Sequence, residues 1–210
     1  VEVYYKHMSN VIDFKDHAQL LLNRKLDGEL RFGKAWSYGL EMMVKIPDGR
    51  LNGWVSYTLS ASKRKIPLIN NGMTYAAPYD KPHNVSLVFN YEITKRFIVS
   101  ANWVYATGIP VTFPVGRAEI GNKIIPIYSD RNAYRLPDYH RLDIAVILKG
   151  KDMKDRRWHS EWNFSVYNAY ARKNTWTINF VQDNENPNVT YAEKTYLFSL
   201  IPSITYNFIF

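Results

Sequence analysis

The stretch "YLFSLIPSITYNFIF" (residues 196–210) decides the fold through the spacing of its apolar residues. Phe198, Leu200, Pro202, Ile204, Tyr206, Phe208 and Phe210 share one parity. Leu197, Ser199, Ile201, Ser203, Thr205, Asn207 and Ile209 share the other, which is mostly small and polar. Side chains of an extended strand alternate between two faces. This segment therefore reads as a strand with one greasy, aromatic face and one hydrophilic face, and the greasy face needs a cover.

The same period of two recurs along the chain, and helical periodicity is scarce. About eight long strands are expected. They cover Glu2 to Asp13, Trp36 to Ile46, Leu51 to Ser62, Asn84 to Ile93, Phe97 to Ala106, Arg141 to Leu148, Trp158 to Tyr170 and Tyr196 to Phe210. The seventh is expected to continue through "NTWTINF" (174–180). In the fourth, Val85, Leu87, Phe89 and Tyr91 oppose Asn84, Ser86, Val88 and Asn90. In the sixth, Leu142, Ile144, Val146 and Leu148 oppose Arg141, Asp143, Ala145 and Ile147. The seventh sets Trp158, Trp162, Phe164, Val166 and Tyr170 apart from the hydrophilic parity. The first strand, "VEVYYKHMSNVID", gives no consistent face.

Short and long connections alternate. "IPDGR" (46–50) carries Asp48-Gly49, a hairpin signal, and "ITKR" (93–96) is equally tight. Between the tight turns lie long segments such as "KRKIPLINNGMTYAAPYDKPH" (63–83) and the stretch from Thr107 to His140. Loops of that length are uncommon in a compact domain and usually carry function or disorder. Strict alternation puts all the long loops at one end of an up-and-down meander, as in outer-membrane barrels.

Composition agrees. Aromatics make up 15% of the 210 residues, with 16 Tyr and 6 Trp, a level that suits belts at an interface. No run of apolar residues is long enough for a spanning helix. Cysteine is absent, which excludes disulfides and thiolate metal sites. The formal net charge of +8 is spread over connections and the polar parity, which argues against a nucleic-acid stripe. The chain starts at Val1 without a signal-peptide pattern, as a mature product or a fragment would. A soluble β-sandwich or barrel also alternates, but its apolar parity must fit a narrow interior. Trp162, Phe164, Phe89, Phe208 and Phe210 are large for that role and suit lipid better.

Five ordered stretches carry a family resemblance: "YAAPYDKPHNVSLVFNY" (75–91), "SANWVYATGIPVTFP" (100–114), "RNAYRLPDYHRLDIAV" (131–146), "SEWNFSVYNAYARKN" (160–174) and "LIPSITYNFIF" (200–210). Together they resemble the C-terminal barrel portion of TonB-dependent outer-membrane receptors of the Bacteroidota type. The resemblance implies an all-β, antiparallel transmembrane barrel of about 22 strands, of which residues 1–210 supply about the last eight. It implies uptake of a scarce nutrient (siderophore, cofactor, glycan or peptide) at the bacterial outer membrane. The implied partners are outer-membrane lipid, the barrel-assembly machinery, TonB acting through a plug domain outside this chain, and the nutrient; a surface lipoprotein is left open. Tyr206, Phe208 and Phe210 would then form the barrel-assembly signal.

The chemistry-bearing residues point away from catalysis. His7, His17, His83, His140 and His159 show no metal-ligand spacing. Asp138, His140 and Asp143 in "DYHRLD" read as polar groups satisfying one another at a loop-to-strand entry. No phosphate loop or nucleophile elbow occurs, so neither an enzyme nor a cofactor is expected. "NVS" at Asn84 and "NVT" at Asn188 match a glycosylation pattern that a bacterial origin makes irrelevant. Tyr75, Tyr79, Tyr128, Arg131 and Tyr134, in the long loops, are the ligand-binding candidates, because tyrosine offers stacking area with a hydrogen-bonding tip. Two alternatives stand beside the receptor: a self-contained barrel of about eight strands acting as an adhesin or structural protein, and a soluble β-rich binding module. Pairing of the first strand with the last would mark the closed small barrel.

Overall fold

The computed structural model describes residues 1–121, 123–151, 159–183, 185–186 and 189–209. Eight long strands form one antiparallel meander. They are β1 (Glu2–Phe14), β2 (Leu30–Ile46), β3 (Leu51–Lys65), β5 (His83–Thr94), β6 (Phe97–Ala106), β11 (Tyr139–Lys149), β12 (His159–Tyr167) and β15 (Ile201–Ile209), paired in that order. A two-residue strand, β4 (Tyr75–Ala76), adds to β3. The long connections hold three further pairs: β7 (Pro110–Val111) with β10 (Tyr134–Arg135), β8 (Pro114–Ile120) with β9 (Lys123–Tyr128), and β13 (Thr177–Gln182) with β14 (Thr190–Thr195). The expected class, all-β and antiparallel, is the one found. Among the described residues β1 pairs only with β2 and β15 only with β12, so the sheet is open. No helix among those residues is long and apolar enough to cross a membrane.

Register joins the apolar parities into one continuous face. Gly53, Phe89, Ala101, Ile144, Val166 and Pro202 are successive cross-strand partners. The next row is Leu51, Tyr91, Val99, Val146, Phe164 and Ile204. Toward the long connections lie Val44, Val55, Leu87, Trp103 and Leu142, followed by Met42, Tyr57, Val85, Tyr105 and His140. These rows contain no Lys, Arg, Asp or Glu. Their side chains remain accessible: Ile204 is 67%, Tyr91 48% and Phe164 44% exposed. A dry centre built from this parity is absent among the described residues. Among the described residues the buried hydrophobic side chains are Ala35, Ile66, Ile69, Tyr75, Ala77 and Leu136, all toward the long-connection end.

The opposite face is hydrogen-bonded to itself. Ser100 donates to Asn90 Oδ1 (2.7 Å), whose amide donates to Asn52 (3.1 Å). Ser37 and Ser62 hydroxyls meet at 2.9 Å, and Asn207 donates to Glu161 (2.9 Å). Arg141 pairs with Asp143 at 2.9 Å and donates to the Tyr167 hydroxyl at 2.8 Å.

Two sequence expectations are corrected, and the first strand, which gave no consistent face in the sequence, is resolved. The first strand has an irregularity between Met8 and Val11, where Asn10 takes φ 58°. One extra residue in a bulge switches the parity that follows. Tyr5 therefore partners Tyr38, and Ile12 partners Phe32, on the same face. The seventh strand does not run through "NTWTINF". It stops at Tyr167, the chain turns through Asn168 (φ 54°) and Ala171 (φ 55°), and residues 177–182 pair elsewhere. The last strand begins at Ile201 instead of Tyr196. Trp158, Asn188 and Phe210 lie outside the described residues.

Candidate functional site

The connections 15–29, 66–82, 107–138 and 168–200 all leave the same end of the meander, and side-chain chemistry ties them together. Arg131 is the central knot. Its guanidinium reaches Asp13 (2.9 Å) and Asp16 (2.7 Å) and donates to the Phe14 carbonyl (2.7 Å). Its backbone exchanges hydrogen bonds with the Asn70 side chain at 2.8 and 3.0 Å. Asp13 also accepts from Arg64 (3.3 Å) and from the Tyr75 hydroxyl (2.9 Å). Tyr75 is 5% exposed, and burial together with the Asp13 carboxylate pushes its phenol well above the ordinary tyrosine value. Tyr75 and Arg131, two of the candidates, thus meet in one network that shapes the loop end.

A second tie joins Arg135 to buried Asp80 in an ion pair, and Arg135 also donates to the carbonyls of Asp80 (2.8 Å) and Gly108 (2.9 Å). Asp80 in turn accepts from the Ser62 amide of β3 (2.6 Å). Gly108 is required here by close approach, because a Cβ would stand 1.7 Å from the Leu136 carbonyl oxygen.

Asp138 makes the third tie. The Tyr105 hydroxyl donates to it at 2.7 Å and the Gly108 amide at 3.0 Å, and these bonds hold its carboxyl below the ordinary aspartate value. A carboxyl depressed by folding stabilises the fold above its unfolded pKa, near 3.9, and that contribution is lost as pH falls through the lower folded value. Acidification below about pH 4 should therefore speed hydrogen exchange at the Gly108 amide, and Asp138→Asn should remove that pH dependence. An exchange rate at Gly108 that, once corrected for intrinsic chemistry, stays flat across this range would contradict the tie.

Around these knots three cavities open. One of about 480 Å³ is walled by Asp16, His17, Asn70, Tyr128, Ser129 and Arg131 among others. His17 meets Tyr128 edge-on at 6.3 Å. Arg131 already has three acceptors, so it sets this cavity's shape more than its charge. Two more cavities, about 430 and 470 Å³, share Tyr128, Phe180 and Pro114. Tyr128 therefore borders all three. Tyr134 stacks on Phe113 at 5.9 Å, and Phe113 meets Phe180 edge-on at 5.2 Å. Tyr79 stands apart, 80% exposed. Tyr206 and Phe208 lie on the apolar face with Trp162, whose ring centroid is 4.7 Å from that of Tyr206.

Sequence reasoning missed Asp13, Asp80, Arg135, Phe113 and Phe180. Arg135 and Asp80 sit beside aromatic and proline residues in the quoted stretches, and a charge in such a setting is the available signal. Among the described residues no group of acidic or histidine side chains is placed to hold a metal ion. The walls can stack and hydrogen-bond a ligand. A scan of protein-family models found no family that matches the chain, and searches of curated proteins and of solved structures found no match either.

Proposed function

We propose that this chain is a section of an outer-membrane barrel wall, with its apolar face in lipid and its long connections forming the ligand-receiving end of a nutrient receptor. The observation that carries the reading is the register-linked apolar face, continuous over all eight strands and free of ionised side chains in its central rows. A water-exposed sheet of this extent would be an aggregation surface. Lipid covers it without cost, whereas Lys or Arg at the midplane would cost about 2–4 kcal/mol.

Aromatic residues bracket that face. Tyr57, Trp103, Tyr105 and His140 lie toward the long connections, and Tyr91, Phe97, Trp162 and Tyr206 toward the tight turns. Along β6, Phe97 and Tyr105 are eight steps apart, about 27 Å. Strand tilt near 40° shortens that to roughly 20 Å, which sets girdles at the margins of an apolar band about 25 Å tall. The open edges of β1 and β15 favour a section of a larger wall over a closed eight-stranded unit. The resemblance to TonB-dependent receptors supplies the transport role, with plug and TonB outside this chain.

The test uses the absence of cysteine. Ile204→Cys and Thr205→Cys, adjacent but on opposite parities, carry a fluorophore in the membrane-reconstituted protein. Brominated lipid should quench the label at 204 strongly and spare the label at 205. Equal quenching, or recovery of the natural protein in the soluble fraction, removes the membrane reading. Deletion of the gene should slow growth on the limiting nutrient; an adhesin or purely structural barrel predicts no such deficit.

A further inference from the structure

The cavity of about 430 Å³ touches Trp176, Thr177, Ile178, Asn179 and Phe180, five residues in succession. Consecutive side chains of a strand point to opposite faces, so a space that meets all five runs along the strand's edge. Among the described residues β13 pairs with β14 alone, and no residue of β14 lines this cavity. The edge that faces the cavity is therefore the unpaired one.

Register identifies its free groups. The Asp183 amide donates to the Val189 carbonyl at 2.9 Å, one step beyond the Gln182–Thr190 pair. In an antiparallel ladder, bonded and non-bonded pairs alternate. Asn179 and Val181 thus direct their main-chain groups to β14, while Ile178 and Phe180 direct theirs into the cavity. Asp183 closes this hairpin from its far end, accepting from the amides of Glu185 and Asn186 (both 2.8 Å) and from the Tyr191 hydroxyl (2.7 Å).

The facing wall is aromatic and uncharged. Phe113 lies across from Phe180, and Tyr128 and Trp176, the latter 62% exposed, complete the surface. No Lys, Arg, Asp or Glu lines this cavity. Past Phe180 the space opens into the cavity of about 470 Å³, which Arg117 and both Gln182 and its β14 partner Thr190 also line, so the edge cleft itself spans residues 176–180. Five residues correspond to about 17 Å of edge.

We propose that this cleft binds a short extended peptide of about five residues, added as a strand along the edge of β13 up to Phe180, with neutral apolar or aromatic side chains against Phe113, Tyr128, Trp176 and Phe180. An edge strand offers main-chain donors and acceptors at a two-residue repeat, and another polypeptide main chain matches that repeat. A sugar chain would use the aromatic faces and leave the repeat unmatched. The inference names the ligand class for the loop end described above. It rests on that reading for transport and not for binding.

The test is anisotropy of a fluorescein-tagged, end-blocked hexapeptide of alternating leucine and serine, titrated with the full protein in detergent. Saturable binding is expected. Methylating one alternate set of peptide nitrogens should weaken binding at least tenfold, and methylating the other set should leave it within about twofold, because only one edge of the added strand meets β13. Ile178→Pro, which removes one outward amide, should reproduce the loss. Equal affinity for all three peptides overturns the proposal, as does displacement by a linear glucose hexasaccharide in the absence of peptide selectivity. If the lipid-quenching experiment succeeds and no peptide binds, only this inference fails; if peptide binds and lipid does not quench, the membrane reading fails instead.

Discussion

Ile144→Arg is expected, if the proposed lipid-facing assignment holds, to lower the stability of the protein in lipid by about 2–4 kcal/mol, the largest effect of any single surface substitution in the sheet. Ile144 sits midway along the apolar face, directly between Ala101 and Val166. It is also midway along β11 between His140 and Leu148, so a charge there has the longest path to either interface. The neighbouring Ser165→Arg, on the hydrophilic parity opposite Ala145 and Ser203, should cost less than about 1 kcal/mol, the range usual for surface changes. Denaturant unfolding from detergent or lipid measures both. If the two substitutions cost the same, the face of Ile144 does not meet hydrocarbon, and the assignment of inside and outside is wrong. The comparison is direct because both residues lie in the same part of the sheet and both replacements add the same side chain.

Arg131→Ala is expected to loosen the long-connection end by about 3 kcal/mol, at the lower end of the range for breaking a mostly buried ion pair. The Arg131 side chain is 19% exposed and Asp13 15%, so neither partner is readily rescued by water. Removal leaves Asp13 with Arg64 and Tyr75, leaves Asp16 without this partner, and deprives the Phe14 carbonyl of its donor. Arg131→Lys should recover only part of the loss, since an ammonium cannot fork between two carboxylates and a carbonyl. Limited proteolysis within residues 15–29 and 107–138 should accelerate in both variants, with the sheet retained. Unchanged cleavage in Arg131→Ala would show that the connections are held by other means. The cavity walled by Asp16, Asn70, Tyr128 and Arg131 should widen in the same variant, because Arg131 ties its own connection to the first at Asp13 and Asp16 and to the second at Asn70.

The strands were legible because alternation is a local property. β6 runs from Phe97 to Ala106 as the sequence predicts, and β3, β5 and β11 differ from prediction by a few residues at their ends. Connection length carried the topology, since tight turns force sequential antiparallel neighbours. The first strand was illegible for a specific reason: the bulge near Asn10 inserts a residue and reverses parity, so one face reads as two. "NTWTINF" alternates as well as any strand, but alternation does not name a partner. Its pairing with β14 instead of the main sheet is set by the turn at Asn168, whose side chain bonds Arg172 at both the amide and the carbonyl.

The candidate residues divide in the same way. Their types marked Tyr75, Tyr79, Tyr128, Arg131 and Tyr134 as able to bind a ligand, but tyrosine chemistry is the same in a knot and in a cleft. Tyr75 meets Asp13 across 62 positions and Arg131 meets it across 118. Separations of that size leave no periodic trace in the chain. The sequence by itself determined the all-β class, the meander order, the continuous apolar face and the end at which long connections gather, because each follows from side-chain alternation or loop length. Only the tertiary structure decided which loop charges are consumed by one another, where the first strand changes face, and which edge of β13 stays unpaired. Those outcomes depend on close approach between distant segments, and packing and register set that approach.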